Sequence, residues 1–406
     1  MRPASKVSMA AVLNSHTQQH NSANQGRAVV SHGLSSHIDI LDGFRGAAIL
    51  LVMIYHQTVM QSRTLIDIPF LRMTLGMWSG ADALFVLSGF LITGILYDSK
   101  GSRYYFRNFY ARRALRIFPL YYAIVFFSLL ILPRVSHPWT TNLGRITGDE
   151  MWYWLNCSNF SIANHEAFRH GILDVCWWLA VEWQFCLIWP AVVFVFPRRA
   201  LIAVCAGMIA AAPVLRTVLL SSGFDPISVY VLTPCRMDAL AMGALIALVG
   251  RGEGAIAKLV PRARIGAALA GLALLIILVC QGNWDWQSRL MQTAGYTVYA
   301  FLSGAILILA VGSPPFGPIA RLFNFEILKT FGRYSYALYL FHSPLRAVIR
   351  DTFFGPERFP MVANSQLPGQ IMFYALATAV TLVSAVLSWH LYEKHFLKIK
   401  TLFPMN

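Results

Sequence analysis

Charged side chains are scarce. Only 13% of the 406 residues are Asp, Glu, Lys or Arg, against about 25% in a soluble protein. With 57% apolar residues and long apolar stretches recurring from Ile49 to Leu391, this excludes a string of soluble domains and implies a polytopic membrane protein. Cysteines stand at 157, 176, 186, 205, 235 and 280, with no CxxC. Most lie in apolar stretches and read as small apolar residues, and nothing in the sequence supports a Cys157–Cys176 disulfide. There is no GxSxG, no metal-ligand spacing and no phosphate-cradling P-loop, so a metal or ATP mechanism has no support. Residues 1–37 lack an apolar core long enough for a signal peptide. Rich in Ser, His, Gln and Asn, they are expected to form a disordered cytoplasmic tail. His16, His20, His32 and His37 are too irregularly spaced for a metal site.

The net charge of +15 does not form one nucleic-acid patch, because the basic residues cluster between apolar stretches. The expected fold is an all-α bundle of about ten transmembrane spans, near 44–62, 76–97, 117–133, 173–196, 200–220, 229–249, 265–281, 293–312, 334–350 and 370–391. The second, interrupted by Gly and Ser, could be bent or re-entrant. Basic groups follow every even span: Lys100 to Arg116, Arg198 and Arg199, Arg251 to Arg264, Arg321 to Arg333, and Lys394 to Lys400. Both termini are therefore expected in the cytoplasm. The outward segment 134–172 holds Trp139, Trp152, Tyr153 and Trp154, which read either as interfacial anchors or as a platform for a sugar ring.

Ionisable residues inside a membrane are costly and point to function. In Leu41-Asp-Gly-Phe-Arg-Gly-Ala-Ala-Ile-Leu-Leu-Val-Met-Ile-Tyr-His56, Arg45 and His56 are eleven residues apart. That is roughly three helical turns, so both lie on one face, about 16 Å apart along the axis. Asp82, in Gly80-Ala-Asp-Ala-Leu-Phe-Val-Leu-Ser-Gly89, needs a partner, either His56 or an arginine; Ser88 and Gly89 read as close-packing residues. In Arg107-Asn-Phe-Tyr-Ala-Arg-Arg-Ala-Leu-Arg-Ile-Phe-Pro119, Arg113 and Arg116 share a helical face. They suit either anionic lipid or a bidentate phosphate clamp, as for coenzyme A. Glu182 is a charge inside Trp177-Trp-Leu-Ala-Val-Glu-Trp-Gln-Phe185. Arg236 and Asp238 suggest an intramembrane pair, and His342 a packing, gating or site residue.

These stretches resemble the acyltransferase-3 family of bacterial integral-membrane acyltransferases. So do Arg236-Met-Asp-Ala-Leu-Ala-Met-Gly243, Gly332-Arg-Tyr-Ser-Tyr-Ala-Leu-Tyr-Leu-Phe-His342 and Ser388-Trp-His-Leu-Tyr-Glu-Lys-His-Phe396, in family order over about 38–400. The resemblance implies an arginine–ten–histidine motif at Arg45 and His56, and an Arg-x-x-Arg motif at Arg113 and Arg116. The family's fourth-helix serine–glutamate pattern is here Leu179-Ala-Val-Glu182, which keeps the glutamate and lacks the serine. Some members of the family continue into an esterase-like domain; with the sequence stopping soon after the tenth expected span, a membrane-only member is expected, with no C-terminal esterase-like domain.

The expected activity is transfer of an acyl group, foremost acetyl, from cytoplasmic acyl-CoA to a hydroxyl of an exopolysaccharide, O-antigen or related glycan, in the bacterial inner membrane. No permanently bound cofactor is expected; acetyl-CoA is the donor substrate. Arg113, Arg116 and Arg112 hold the CoA phosphates. Arg45 holds the donor or orders its channel, and His56 is general base or transient acyl carrier. Glu182 or Asp82 orients or charges the imidazole. The alternatives are a small-molecule or lipid-linked acceptor, or a glycan transporter without CoA chemistry, for which no internal repeat is evident.

Overall fold

The computed structural model describes residues 39–134, 148–252, 254–312, 314, 317–355 and 358–404. The expected tail, its histidines and Trp139 lie outside the described residues. Helix makes up 82% of the structure and no strand occurs among the described residues, so the fold is all-α. Twelve helices position the site: α1 (39–57), α2 (Asp67–Leu75), α3 (Gly80–Asp98), α4 (Tyr105–Phe126), α5 (Cys176–Val195), α6 (Arg198–Ser221), α7 (Thr233–Val249), α8 (Ala255–Gln281), α9 (Tyr296–Gly312), α10 (Glu326–Arg333), α11 (Ser335–Phe353) and α12 (Leu367–Ser388).

Eight helical runs are long and apolar enough to cross a bilayer: Asp67–Asp98, Tyr105–Arg134, Gly171–Val195, Arg198–Ser221, Pro226–Val249, Ala255–Gln281, Met291–Gly312 and Leu367–Leu402. Each overlaps an expected span. The other two expected spans fall on α1 and α11, which carry Asp42 and Arg45, and Arg346, Arg350 and Asp351. The outer faces of the bundle are apolar: Val279 is 74% exposed and Ile188 67%. Such faces suit acyl chains rather than water. All six cysteines are free.

Polar side chains shape the chain where helix alone would not. The helix expected over 44–62 stops at 57. The amides of Val59 and Met60 donate to the Gln370 side-chain carbonyl, each at 2.9 Å, and the Gln61 amide donates to that of Gln366 at 2.7 Å. With partners on α12 and just before it, these amides need no helical carbonyl. The expected bend in the second span is the 3₁₀ turn Gly76–Ser79 between α2 and α3. Helix α3 then packs against α7 and α9, α6 against α7, α8 against α9, and α11 against α12. The α3–α7 contact depends on Gly89 and Gly243. A methyl group on Gly89 would lie 1.9 Å from the Leu240 carbonyl oxygen, and one on Gly243 1.8 Å from that of Val86. Only bare backbone on both sides allows this approach.

The buried charges pair differently from the sequence expectation. Arg236 and Asp238 are not partners. Arg236 pairs with Asp82 across α7 and α3. Asp238 pairs with Arg216 of α6 at 3.0 Å, and its other contacts are Thr297 Oγ1, donating at 2.7 Å, and the Ala239 amide at 3.0 Å. Residues two apart on a helix point to different sides, so each meets a different neighbour. Arg236 also lies 4.3 Å from the centre of the Tyr296 ring.

Candidate active site

Two cavities lie along α1. The first, of about 110 Å³, is lined by Arg45, Arg113, Arg116, Glu182, Ser88 and Tyr339, among others. Arg45 is held by Asp42 Oδ1 at 3.0 Å, one turn back. Arg113 and Arg116 reach the cavity together because they are three residues apart on α4. Glu182 Oε1 lies 3.7 Å from Arg113 Nη1, so with Asp42 on Arg45 three guanidinium groups meet two carboxylates, a surplus of one positive charge. Such a surplus of planar donors suits a phosphate-bearing ligand. Arg112 is not brought in: on the adjoining face of α4, it donates to the Phe403 carbonyl at 3.0 Å.

The second cavity, about 600 Å³, opens at the other end of α1. Its walls include His56 and Tyr55, the aromatic rings of Trp78, Trp177, Tyr230 and Trp286, and the charged residues Asp174, Arg346 and Arg350. His56 Nδ1 lies 2.9 Å from the Val52 carbonyl. A carbonyl only accepts, so the proton sits on Nδ1 and Nε2 keeps its lone pair. The ring of His342 stands 5.0 Å away. That residue is fully buried, with Nδ1 2.6 Å from the Tyr339 carbonyl and Nε2 without a hydrogen-bond partner.

The cavities share one wall residue, Tyr339. Its hydroxyl donates to the Val175 carbonyl at 2.7 Å, and its ring packs 5.3 Å from Trp178 and 5.5 Å from His342.

Arg45, Arg113, Arg116 and Glu182 thus meet in one cavity, and His56 lines the other. The expectation that Glu182 or Asp82 orients the imidazole is not met. Asp82 pairs with Arg236 and Glu182 stands with the arginines, while the group in contact with the ring nitrogen is a backbone carbonyl. Of the two readings of the outward aromatics, the sugar platform is not met: among the described residues, Trp152, Tyr153 and Trp154 do not line the cavity. Tyr153 is buried, and the Tyr153 and Trp154 carbonyls accept from Tyr121 and Tyr122 at 2.7 and 3.1 Å. The rings at the cavity are Trp78, Trp177, Tyr230 and Trp286 instead. Beside the mouth, Asp149 Oδ2 lies 2.8 Å from His165 Nε2 and 3.3 Å from His170 Nε2. Burial pushes the His170 imidazole below its ordinary pKa, opposed by the Asp149 charge. Tyr339, Arg346, Arg350 and Trp286 were not identified as site residues from sequence. Arg346 was findable, four residues after His342 and hence on its helical face.

Fold and site together define an integral-membrane helical bundle with a polar site of two adjoining chambers. The chain belongs to the acyltransferase-3 family: the family model, described as an acyltransferase domain, matches residues 38–390. It is 27% identical over 327 residues to "Peptidoglycan O-acetyltransferase OatA" of Listeria monocytogenes, an alignment covering 76% of this chain and 49% of that protein. It is 28% identical over 376 residues to "Putative peptidoglycan O-acetyltransferase YrhL" of Bacillus subtilis, covering 88% and 54%. The chain thus spans about half the length of these relatives. No solved structure matches it.

Proposed function

We propose that the protein is a membrane-embedded O-acetyltransferase that moves an acetyl group from acyl-CoA to a hydroxyl of a cell-envelope glycan. We place it in the bacterial inner membrane with the arginine chamber facing the cytoplasm. The observation that carries this reading is the pair of chambers along α1, one rich in arginine and one holding His56 among aromatic rings, with Tyr339 common to both. The family and the names of the two relatives support the acetyl group and the glycan.

In this reading Arg113 and Arg116 hold the CoA phosphates, and Glu182 keeps Arg113 in place. Arg45 lies further along the donor path. His56 Nε2 takes the proton of the acceptor hydroxyl as its oxygen attacks the thioester carbonyl. A C–O bond forms, the C–S bond breaks, and the CoA thiolate leaves with the proton returned by the imidazolium. In the alternative order Nε2 attacks the thioester carbonyl and expels the CoA thiolate; the acceptor oxygen then takes the acetyl group as the N–C bond breaks, and its proton passes by way of the freed Nε2 to the thiolate.

The test is transfer of labelled acetyl from acetyl-CoA to glycan in vesicles. His56→Ala is expected to slow turnover about 10²- to 10⁴-fold, the usual worth of a general base, and Arg45→Ala to impair it strongly. Near-normal turnover in either correctly folded variant would refute the assignment. Saturable CoA binding lost in Arg116→Ala separates this enzyme from a transporter.

A further inference from the structure

The aromatic chamber carries charges for which the acetyl-transfer chemistry has no use. Arg346 and Arg350 lie one turn apart on α11, so both guanidinium stems issue from one face, and both line the cavity. Arg350 Nε lies 2.7 Å from Asp351 Oδ1, so its charge is largely answered. Arg346 has no carboxylate within ion-pair distance among the described residues. Its Nη1 donates to the His56 backbone carbonyl at 2.6 Å, while its Nε is buried with no hydrogen-bond partner. Asp174 is the one carboxylate in the wall among the described residues.

A buried guanidinium donor without a partner is costly. The buried Nε is out of a ligand's reach, but Arg346 lines the cavity without an ion-pair partner among the described residues, so a ligand anion there would answer its charge, and a carboxylate or phosphate suits a guanidinium. The wall also holds aromatic rings of the kind that stack on a pyranose face, Trp177, Tyr230 and Trp286 among them. The contact to the His56 carbonyl ties the cation to the turn that carries the reacting imidazole. We infer that the acceptor is an acidic glycan, whose anionic group is held by Arg346 while its sugar ring lies on the aromatic wall beside His56.

This rests on the aromatic chamber being the acceptor site, so the test reads binding apart from transfer. Quenching of tryptophan fluorescence by hexyl β-D-glucuronide and by hexyl β-D-glucoside, which differ in one carboxylate, is measured on the full chain in phosphatidylcholine vesicles. The glucuronide is expected to bind about tenfold tighter or more, the usual worth of a hydrogen bond to a charged group. Arg346→Gln removes that advantage and Arg346→Lys retains part of it. Equal binding of the two glycosides, or an advantage that survives Arg346→Gln, overturns the inference. So does loss of the advantage in phosphatidylglycerol vesicles, which would assign the anion site to a lipid headgroup. If the glycosides bind equally while acetyl transfer still depends on His56, the proposed function stands and only the acidic acceptor falls. If neither glycoside binds and the His56 variant transfers normally, the parent reading has failed.

Discussion

At the scale of single residues, partner determines role. Asp82 and Glu182 are both acidic residues in apolar helices, yet the structure assigns them to different settings. Asp82 is 1% exposed and its partner Arg236 is fully buried, while Glu182 lines a cavity. Removing one member of a buried pair leaves an uncompensated charge, a loss of about 3–5 kcal/mol, whereas replacing both with apolar residues is often neutral. Asp82→Asn is therefore expected to lower the thermal midpoint in detergent and the folded yield, and Asp82→Leu with Arg236→Met to restore much of both. A thermal melt of the three proteins checks this. If Asp82→Asn melts like the parent and loses only turnover, Asp82 belongs to the chemistry after all. That Asp82 needed a partner was legible in the sequence, and an arginine was among the candidates. Which arginine was not, because Arg236 and Asp238 are neighbours in sequence but face different helices.

At the scale of helices, the separation of the two chambers is the feature with a consequence. Arg45 and His56 issue from one helix about 16 Å apart, and between their chambers stands Tyr339 of α11, fastened to the Val175 carbonyl. Under the proposed function, a thioester arm held by the arginines would pass that ring on its way to His56. The same reading gives the ring a second role, keeping donor and acceptor apart until both are bound. Tyr339→Ala is expected to join the chambers and release CoA without matching acetylation. Tyr339→Phe, which keeps the ring, is expected to stay closer to coupled turnover. The ratio of free CoA formed to acetyl transferred measures this; an unchanged ratio in Tyr339→Ala would show that the ring separates nothing. The membrane-length helices were readable as long apolar stretches, and the pairing of Arg113 with Arg116 from their spacing. Tyr339 was not, since a tyrosine in an apolar helix carries no sign of lying between two cavities until α5 and α11 are packed.

At the scale of the whole molecule, direction is what remains to be tested, because a donor chamber is useful only on the side where the donor is made. Basic residues follow α3 in density, from Lys100 through Arg103, Arg107, Arg112 and Arg113 to Arg116. The turn between α8 and α9 instead carries Trp284, Asp285 and Trp286 beside the aromatic chamber. Positive loops stay in the cytoplasm and aromatic rings gather at the interfaces, so the arginine chamber is expected inside and the aromatic chamber outside. Arg103 and Gln287 are both exposed and lie in these opposite turns. With Cys157 and Cys280 replaced by serine, Gln287→Cys in right-side-out vesicles is expected to react with a membrane-impermeant maleimide. Arg103→Cys is expected to react only after permeabilisation. The reverse pattern would put the arginines on the side without cytoplasmic CoA and end the acetyl-CoA reading. Labelling of both from outside would mean that the helices between them do not cross the membrane an odd number of times, contrary to the bundle described here.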